Sequence, residues 1–243
     1  MHFGPVIRCV SPAILGLLLA CPSITAAEHG DRPDLTPLMN AAAKNDLPRV
    51  RKLIAKGADV RQRTKQGETA LYEAIERYRL DKDNLPIVDA LLKAGADPNE
   101  IETYSMSALE ISLTRDYGNS EVTLLLLRAD ARVPQTCGDG DSVLSLATMD
   151  SSPEVMRALL AAGAQANCQG VHGETALYWA ALNGQADRVA ALLEGGADPT
   201  VRTKDGKTLL DIATTTNRER RVQIEFARTR DLLRVAIATA NNH

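Results

Sequence analysis

One stretch recurs along the chain. Gly67-Glu68-Thr69-Ala70-Leu71-Tyr72 reappears unchanged as Gly173-Glu174-Thr175-Ala176-Leu177-Tyr178, 106 residues later. Weaker copies lie between and around these two. A hydroxyl stands at Thr36, Thr69, Ser107, Ser142, Thr175 and Thr208, at spacings of 33, 38, 35, 33 and 33 residues. Two residues after each comes Leu38, Leu71, Leu109, Leu144, Leu177 or Leu210, and three further on Ala41, Ala74, Ser112, Ala147, Ala180 or Ala213. A fixed period of this length marks stacked units, each of which buries its apolar face only against its neighbours. The fold class this predicts is an all-α repeat solenoid.

Each recurring slot has a physical reason. A Ser or Thr ahead of an apolar run acts as a helix N-cap, its oxygen satisfying a free N–H of the first turn. Pro37, just after Thr36, suits a first helical position. The leucine two places on is a core anchor, worth about 1.5–3 kcal/mol when buried. The small residue after it lets a second helix come close. Leu53-Ile54, Leu91-Leu92, Leu126-Leu127, Leu159-Leu160 and Leu192-Leu193 close the units. Gly57, Gly95, Gly163 and Gly196 come next as left-handed C-caps, with Asp130 in that slot of the third unit.

With Thr36-Pro37-Leu38, the two long copies and Gly-Ala-Asp at 57–59, 95–97 and 196–198, the sequence resembles the ankyrin-repeat family, and in particular its exported bacterial members. The resemblance runs from about Asp34 to Leu233. It implies helix–turn–helix units joined by β-hairpin fingers, at about 34–66, 67–104, 105–139, 140–172, 173–205 and 206–215 onward, with a capping helix over 216–243. Met39, Tyr72, Glu110, Ser145, Tyr178 and Asp211 stand where the family often has histidine. The family's usual hydrogen bond between neighbouring loops is therefore not expected. In the last segment Val222, Phe226, Leu233 and Ile237 make one apolar stripe among six arginines.

Residues 1–27 differ from the rest. His2 and Arg8 precede an apolar run from Val10 to Ala20, and Thr25-Ala26-Ala27 supplies small residues before Glu28. This is the layout of a secretory signal peptide cleaved near Ala27, and the run is too short to span a bilayer. Leu18-Leu19-Ala20-Cys21 also resembles a lipobox, which would leave a lipidated Cys21 as membrane anchor. Export to the periplasm or beyond is the expectation. Formal net charge is −3, which argues against a globally basic nucleic-acid binder.

Catalytic and metal-binding patterns are not legible. His172 has no paired nucleophile, and Cys168 four residues before it lacks the further ligands a metal site needs. No phosphate loop or dinucleotide fingerprint is present. The expectation is a non-enzyme without cofactor, a hydrolytic enzyme being the weakest rival. Cys137 and Cys168 fall in consecutive fingers, one repeat period apart to within two residues. They pair as a disulfide or stand as two free thiols.

Binding remains. Repeat stacks present a concave face of finger tips and first helices, and Tyr and Trp are preferred anchors at interfaces. The candidate partner-binding residues are Lys65, Glu68, Tyr72, Tyr104, Met106, His172, Glu174, Tyr178 and Trp179. For Tyr72 and Tyr178, filling the histidine slot is the competing reading; for Trp179 it is packing between the fourth and fifth units. The expected molecule is a monomeric scaffold binding one or more proteins as adaptor, stabiliser or inhibitor, with an effector acting on a host protein as the rival.

Overall fold

The hydroxyl slots do what their chemistry requires. The side chains of Thr36, Thr69, Ser107, Ser142, Thr175 and Thr208 accept the backbone N–H groups of Met39, Tyr72, Glu110, Ser145, Tyr178 and Asp211, each at 3.1 or 3.2 Å. Each therefore starts a short helix. In this computed structural model the described residues are 34–76, 84–100, 106–114, 120–135, 137, 142–214 and 220–241 of the 243.

Twelve helices lie among them. The first helices of the units are α1 (Pro37–Ala43), α3 (Ala70–Glu76), α5 (Ala108–Thr114), α7 (Val143–Asp150), α9 (Ala176–Leu182) and α11 (Leu209–Thr214). The second helices are α2 (Leu47–Ala55), α4 (Leu85–Lys93), α6 (Ser120–Arg128), α8 (Pro153–Ala161), α10 (Ala186–Glu194) and the long α12 (Arg220–Ala240). Each first helix packs on its own second helix and on the first helices before and after it, and the second helices form a parallel row. Two layers of helices result, with the core between them.

The anchor leucines fill that core. Leu38, Leu71, Leu109, Leu144 and Leu177 are at most 2 % exposed. The sixth unit differs: Leu209 is buried and the expected anchor Leu210 only half-buried. The slot loses burial at the end of the stack, where α12 is the last element packed on α11. The small slots Ala41, Ala74, Ser112, Ala147, Ala180 and Ala213 are all buried. At Ser112 the extra hydroxyl bonds across to Thr123 Oγ1 of α6 at 2.9 Å, so a polar atom enters the core with a partner. The C-cap row is equally regular. Gly57, Gly95, Gly163 and Gly196 have φ between +83° and +94°, and Asp130, in the third unit, has φ +61°.

In the last segment residues 220–240 form one continuous helix, and this α12 occupies the second-helix place of the sixth unit, packed on α10 and α11. It has 21 residues where α2, α4, α6, α8 and α10 have nine each. Phe226, Thr229 and Leu233 form its buried stripe, while Ile237 is half-buried near its end. The Val222 side chain lies outside those described. Phe226 can sit where it does because Gly184 has no side chain: a Cβ there would come within 2.9 Å of the ring. The exposed Glu225, Arg228, Asp231 and Arg234 alternate in sign along its outer face; Arg228 pairs with Asp187 of α10 at 2.9 Å and Arg234 with Asp231 at 3.4 Å.

A finger-and-first-helix face as candidate functional site

The fingers are built from tight turns closed by backbone bonds. In the first, Thr64 N–H donates to the Glu68 carbonyl at 3.0 Å and Gly67 N–H to the Thr64 carbonyl at 3.0 Å. The same pair of bonds recurs at Gly170–Glu174 and at Thr203–Lys207. No strand is assigned among the described residues, so these fingers are turns rather than β-ladders. Neighbouring fingers touch directly where Lys204 N–H donates to the His172 carbonyl at 3.0 Å.

A row of side chains ties the first five units together just below the fingers. Arg61 Nε donates to the Gly95 carbonyl at 2.8 Å, and Asn99 Nδ2 to the Asp130 carbonyl at 3.1 Å. Gln135 Nε2 donates to the Gly163 carbonyl at 3.0 Å, and Asn167 Nδ2 to the Gly196 carbonyl at 3.1 Å. Every acceptor is the C-cap residue of the following unit. Asn99 and Asn167 also accept, from Arg132 N–H and Asp198 N–H, both at 2.7 Å. The row does what the absent histidines would have done in registering neighbouring loops. The sequence reading missed it, although polar residues four or five places after each C-cap were visible. The acids of the Gly-Ala-Asp signature hold the same corner: Asp59, Asp97 and Asp198 accept the N–H of Arg61, Asn99 and Thr200 at 2.8–2.9 Å.

The histidine slot itself has turned inward to the helix cap. Glu110 and Asp211 each accept the N–H of their own cap, Ser107 at 2.8 Å and Thr208 at 2.9 Å, completing capping boxes. The Asp211 carboxyl is held below the usual aspartate range, first by the Thr208 hydroxyl and then by its backbone N–H. In the same way the side-chain bond to Ser152 lowers Glu154, and the bond to Glu194 raises Arg157. These shifted groups serve caps and a surface pair, not a reactive centre. Among the described residues no group of three or more His, Cys, Asp or Glu side chains is placed to hold a metal, and no helix is long and apolar enough to cross a membrane.

The expected binding residues do not all reach the surface. Tyr72 is a correction: it is 7 % exposed and part of the core, because the N3 position of α3 points into the stack. Lys65 and His172 are exposed on their turns. Glu68 and Glu174 are half-buried and brace those turns, Glu68 taking the Thr64 hydroxyl at 3.2 Å and Glu174 the His172 N–H at 3.0 Å. Met106 and Tyr178 are half-buried against the core. Trp179 is half-buried, its ring edge-on to Tyr178 with centroids 5.2 Å apart. Tyr104 and Cys21 lie outside the described residues, as does the whole of 1–27. Cys137 and Cys168 are brought together across two fingers, Cα atoms 5.4 Å apart and sulfurs joined, with Cys168 buried and Cys137 exposed.

This geometry agrees with what the chain resembles. The family model described as ankyrin repeats (3 copies) matches residues 9–102 and 111–203. Among curated proteins, the mitochondrial disaggregase of Bos taurus is 37 % identical over 94 residues, 38 % of this chain and 13 % of that protein. Human ankyrin repeat and SOCS box protein 6 is 32 % identical over 114 residues, 45 % of this chain and 26 % of that protein. The chain thus spans about a quarter or less of these relatives. Among solved structures, an ankyrin repeat domain from Acinetobacter baumannii AYE is 28 % identical with a TM-score of 0.64, covering 82 % of this chain and 97 % of that one. A chain from the predatory endopeptidase of Bdellovibrio bacteriovorus in complex with an immunity protein is 25 % identical with a TM-score of 0.61, covering 83 % and 98 %. The helical stack, its capped units and these matches together place the chain in the ankyrin-repeat family.

Proposed function

We propose that this protein is an exported ankyrin-repeat scaffold that holds a partner protein against its fingers and first helices. The observation that carries this reading is Trp179. It is the chain's one tryptophan, it stands on the first helix α9, and it is only half-buried, its ring edge-on to Tyr178. A large aromatic kept partly in water on a rigid support is the usual anchor of an interface. The likeness to a chain from an endopeptidase–immunity protein complex favours inhibition or protection as the form of binding, over recruitment. Export rests on the layout of residues 1–27 and on the Cys137–Cys168 pair, since disulfides persist in oxidising compartments.

The test is capture of partners from the cell-envelope and secreted fractions of the producing organism, followed by titration of the captured protein. Trp179→Ala weakens that partner by about 2 kcal/mol or more and leaves the melting curve in place. A Trp179→Ala variant that binds normally but loses about 3–5 kcal/mol of stability makes the residue structural and ends this reading. Export has its own readout, the mature N-terminus: Glu28 or lipidated Cys21 supports it, and an intact Met1 in the cytoplasm contradicts it.

A further inference from the structure

A second surface lies at the other edge of the first described unit, away from the fingers. Residues 34–66 carry eight Lys and Arg against three Asp, a formal +5 in a chain of −3. Much of that charge is on α2. Arg49, Lys52, Leu53 and Lys56 succeed one another at helical spacing along one side of α2 and the residue just after it, and line an open depression of about 470 Å³ with Asp46 and Pro48.

The repeat shows what this side of a second helix is for. Aligned on the paired leucines, Arg49 corresponds to Ile87, Val122, Val155 and Arg188, and Lys56 to Ala94, Ala129, Ala162 and Gly195. In the fifth unit these slots face the unit before. A Cβ on Gly195 would come within 2.3 Å of the Leu160 side chain, and Arg188 donates to the carbonyls of Ser151 and Thr148 at 2.7 and 3.4 Å. Ile87, Val122 and Val155 are at most 1 % exposed. In the first unit the same side carries three cations, all exposed, and none is ion-paired to a described residue. An apolar repeat could not pack there without burying them, at a cost of several kcal/mol per ion.

A face that only keeps the end of a stack soluble mixes both signs, as α12 does with its exposed Glu225, Arg228, Asp231 and Arg234. The face of α2 carries three cations against one acid, Asp46, whose carboxylate is already engaged as the helix N-cap, accepting the Arg49 N–H at 3.0 Å. Arg188 shows that an arginine in this slot is satisfied by oxygen acceptors from a neighbouring chain segment. We infer that the Arg49–Lys52–Lys56 side of α2 docks an extended acidic segment of a protein. Arg49 and Lys56 are about 10 Å apart along the helix axis. Acidic residues three apart in an extended strand cover about the same distance, at about 3.3 Å per residue. Leu53 and Pro48 floor the depression between the cations. A membrane surface fits less well, because Met149, Val171 and Val235 are the exposed large apolar residues among those described, and α2 has none to insert. This surface is separate from the finger face and does not depend on the reading given to it.

The probe is a blocked, fluorescent peptide of serines with glutamate at every third position, titrated into the full chain at low salt and again at high salt. Wild-type protein binds it, and added salt weakens binding because the pairs are solvent-exposed. Arg49→Glu with Lys52→Glu reduces affinity about tenfold, the scale of two exposed ion pairs lost and reversed. The neutral pair Arg49→Gln with Lys52→Gln gives a smaller loss and keeps the experiment decisive should the reversed variant fail to fold. Lys204→Glu with Lys207→Glu changes the charge of a finger equally and leaves the peptide bound. Failure of wild type to bind, or loss of binding in the finger variant alone, overturns the proposal. So does binding to vesicles containing phosphatidylglycerol with none to the peptide.

Discussion

Asn167 donates through Nδ2 to the backbone carbonyl of Gly196 at 3.1 Å, joining the fourth unit to the C-cap of the fifth. Its amide oxygen takes the N–H of Asp198 at 2.7 Å, so one side chain closes both bonds of the rung. Asn99 does the same to Asp130 and Arg132 one junction after the first. A net hydrogen bond contributes about 0.5–1.5 kcal/mol, and the two bonds are made by one residue. Asn167→Ala therefore costs about 1–3 kcal/mol in denaturant unfolding. In a stack whose stability is a sum of unit and interface terms, it also separates the unfolding of units one to four from that of the last two. A single unchanged transition would show that the rungs are decoration.

The junction between the third and fourth units is built differently. Gln135 donates to Gly163, but the covalent link Cys137–Cys168 stands beside it, 31 residues apart in sequence. Closing a loop of that length stabilises by about 3–4 kcal/mol in the chain-entropy account. Cys137→Ser with Cys168→Ser, or reductant on the wild type, lowers the melting temperature correspondingly. Two titratable thiols in protein isolated without reductant from its native compartment would contradict the bond.

Asp211 gives a pH-dependent readout of the last cap. Its carboxyl accepts from Thr208 N–H at 2.9 Å and Thr208 Oγ1 at 2.7 Å, and its folded value is depressed. A depressed acid contributes stability that is full above the ordinary aspartate range and is lost as pH falls through the folded value. The group is solvent-exposed, so the effect is small. Side-chain carbon NMR on Thr208→Ala shows the Asp211 titration moving up toward the ordinary range. An unmoved midpoint would mean the cap bonds do not set it.

The fold was legible because each slot carries one local demand: a hydroxyl for a cap, a leucine for the core, a left-handed residue for the helix end. Even Asp130 announced its conformation, at φ +61°. Leu210 departs from the pattern because an anchor is buried only when another unit stacks beyond it, and the last unit has only α12. Tyr72 misled because residue type alone does not separate an interface tyrosine from one filling an N3 slot. The rungs were missed because Arg61, Asn99, Gln135 and Asn167 share a place but span three residue types. The sequence period also hid that α12 completes the sixth unit, since no proline marks its start as Pro48, Pro86 and Pro153 mark those of α2, α4 and α8.

The central claim is that the fingers and first helices meet a protein. A photo-crosslinking amino acid placed in turn at Lys65, His172 and Trp179, and at Arg128 and Lys93 on second helices, tests it most directly in cells of the producing organism. All but the half-buried Trp179 are exposed. The account predicts one partner band of the same mass from Lys65, His172 and Trp179, and none from Arg128 or Lys93. Crosslinks from the second helices alone, or none from the three finger-face positions, would contradict it.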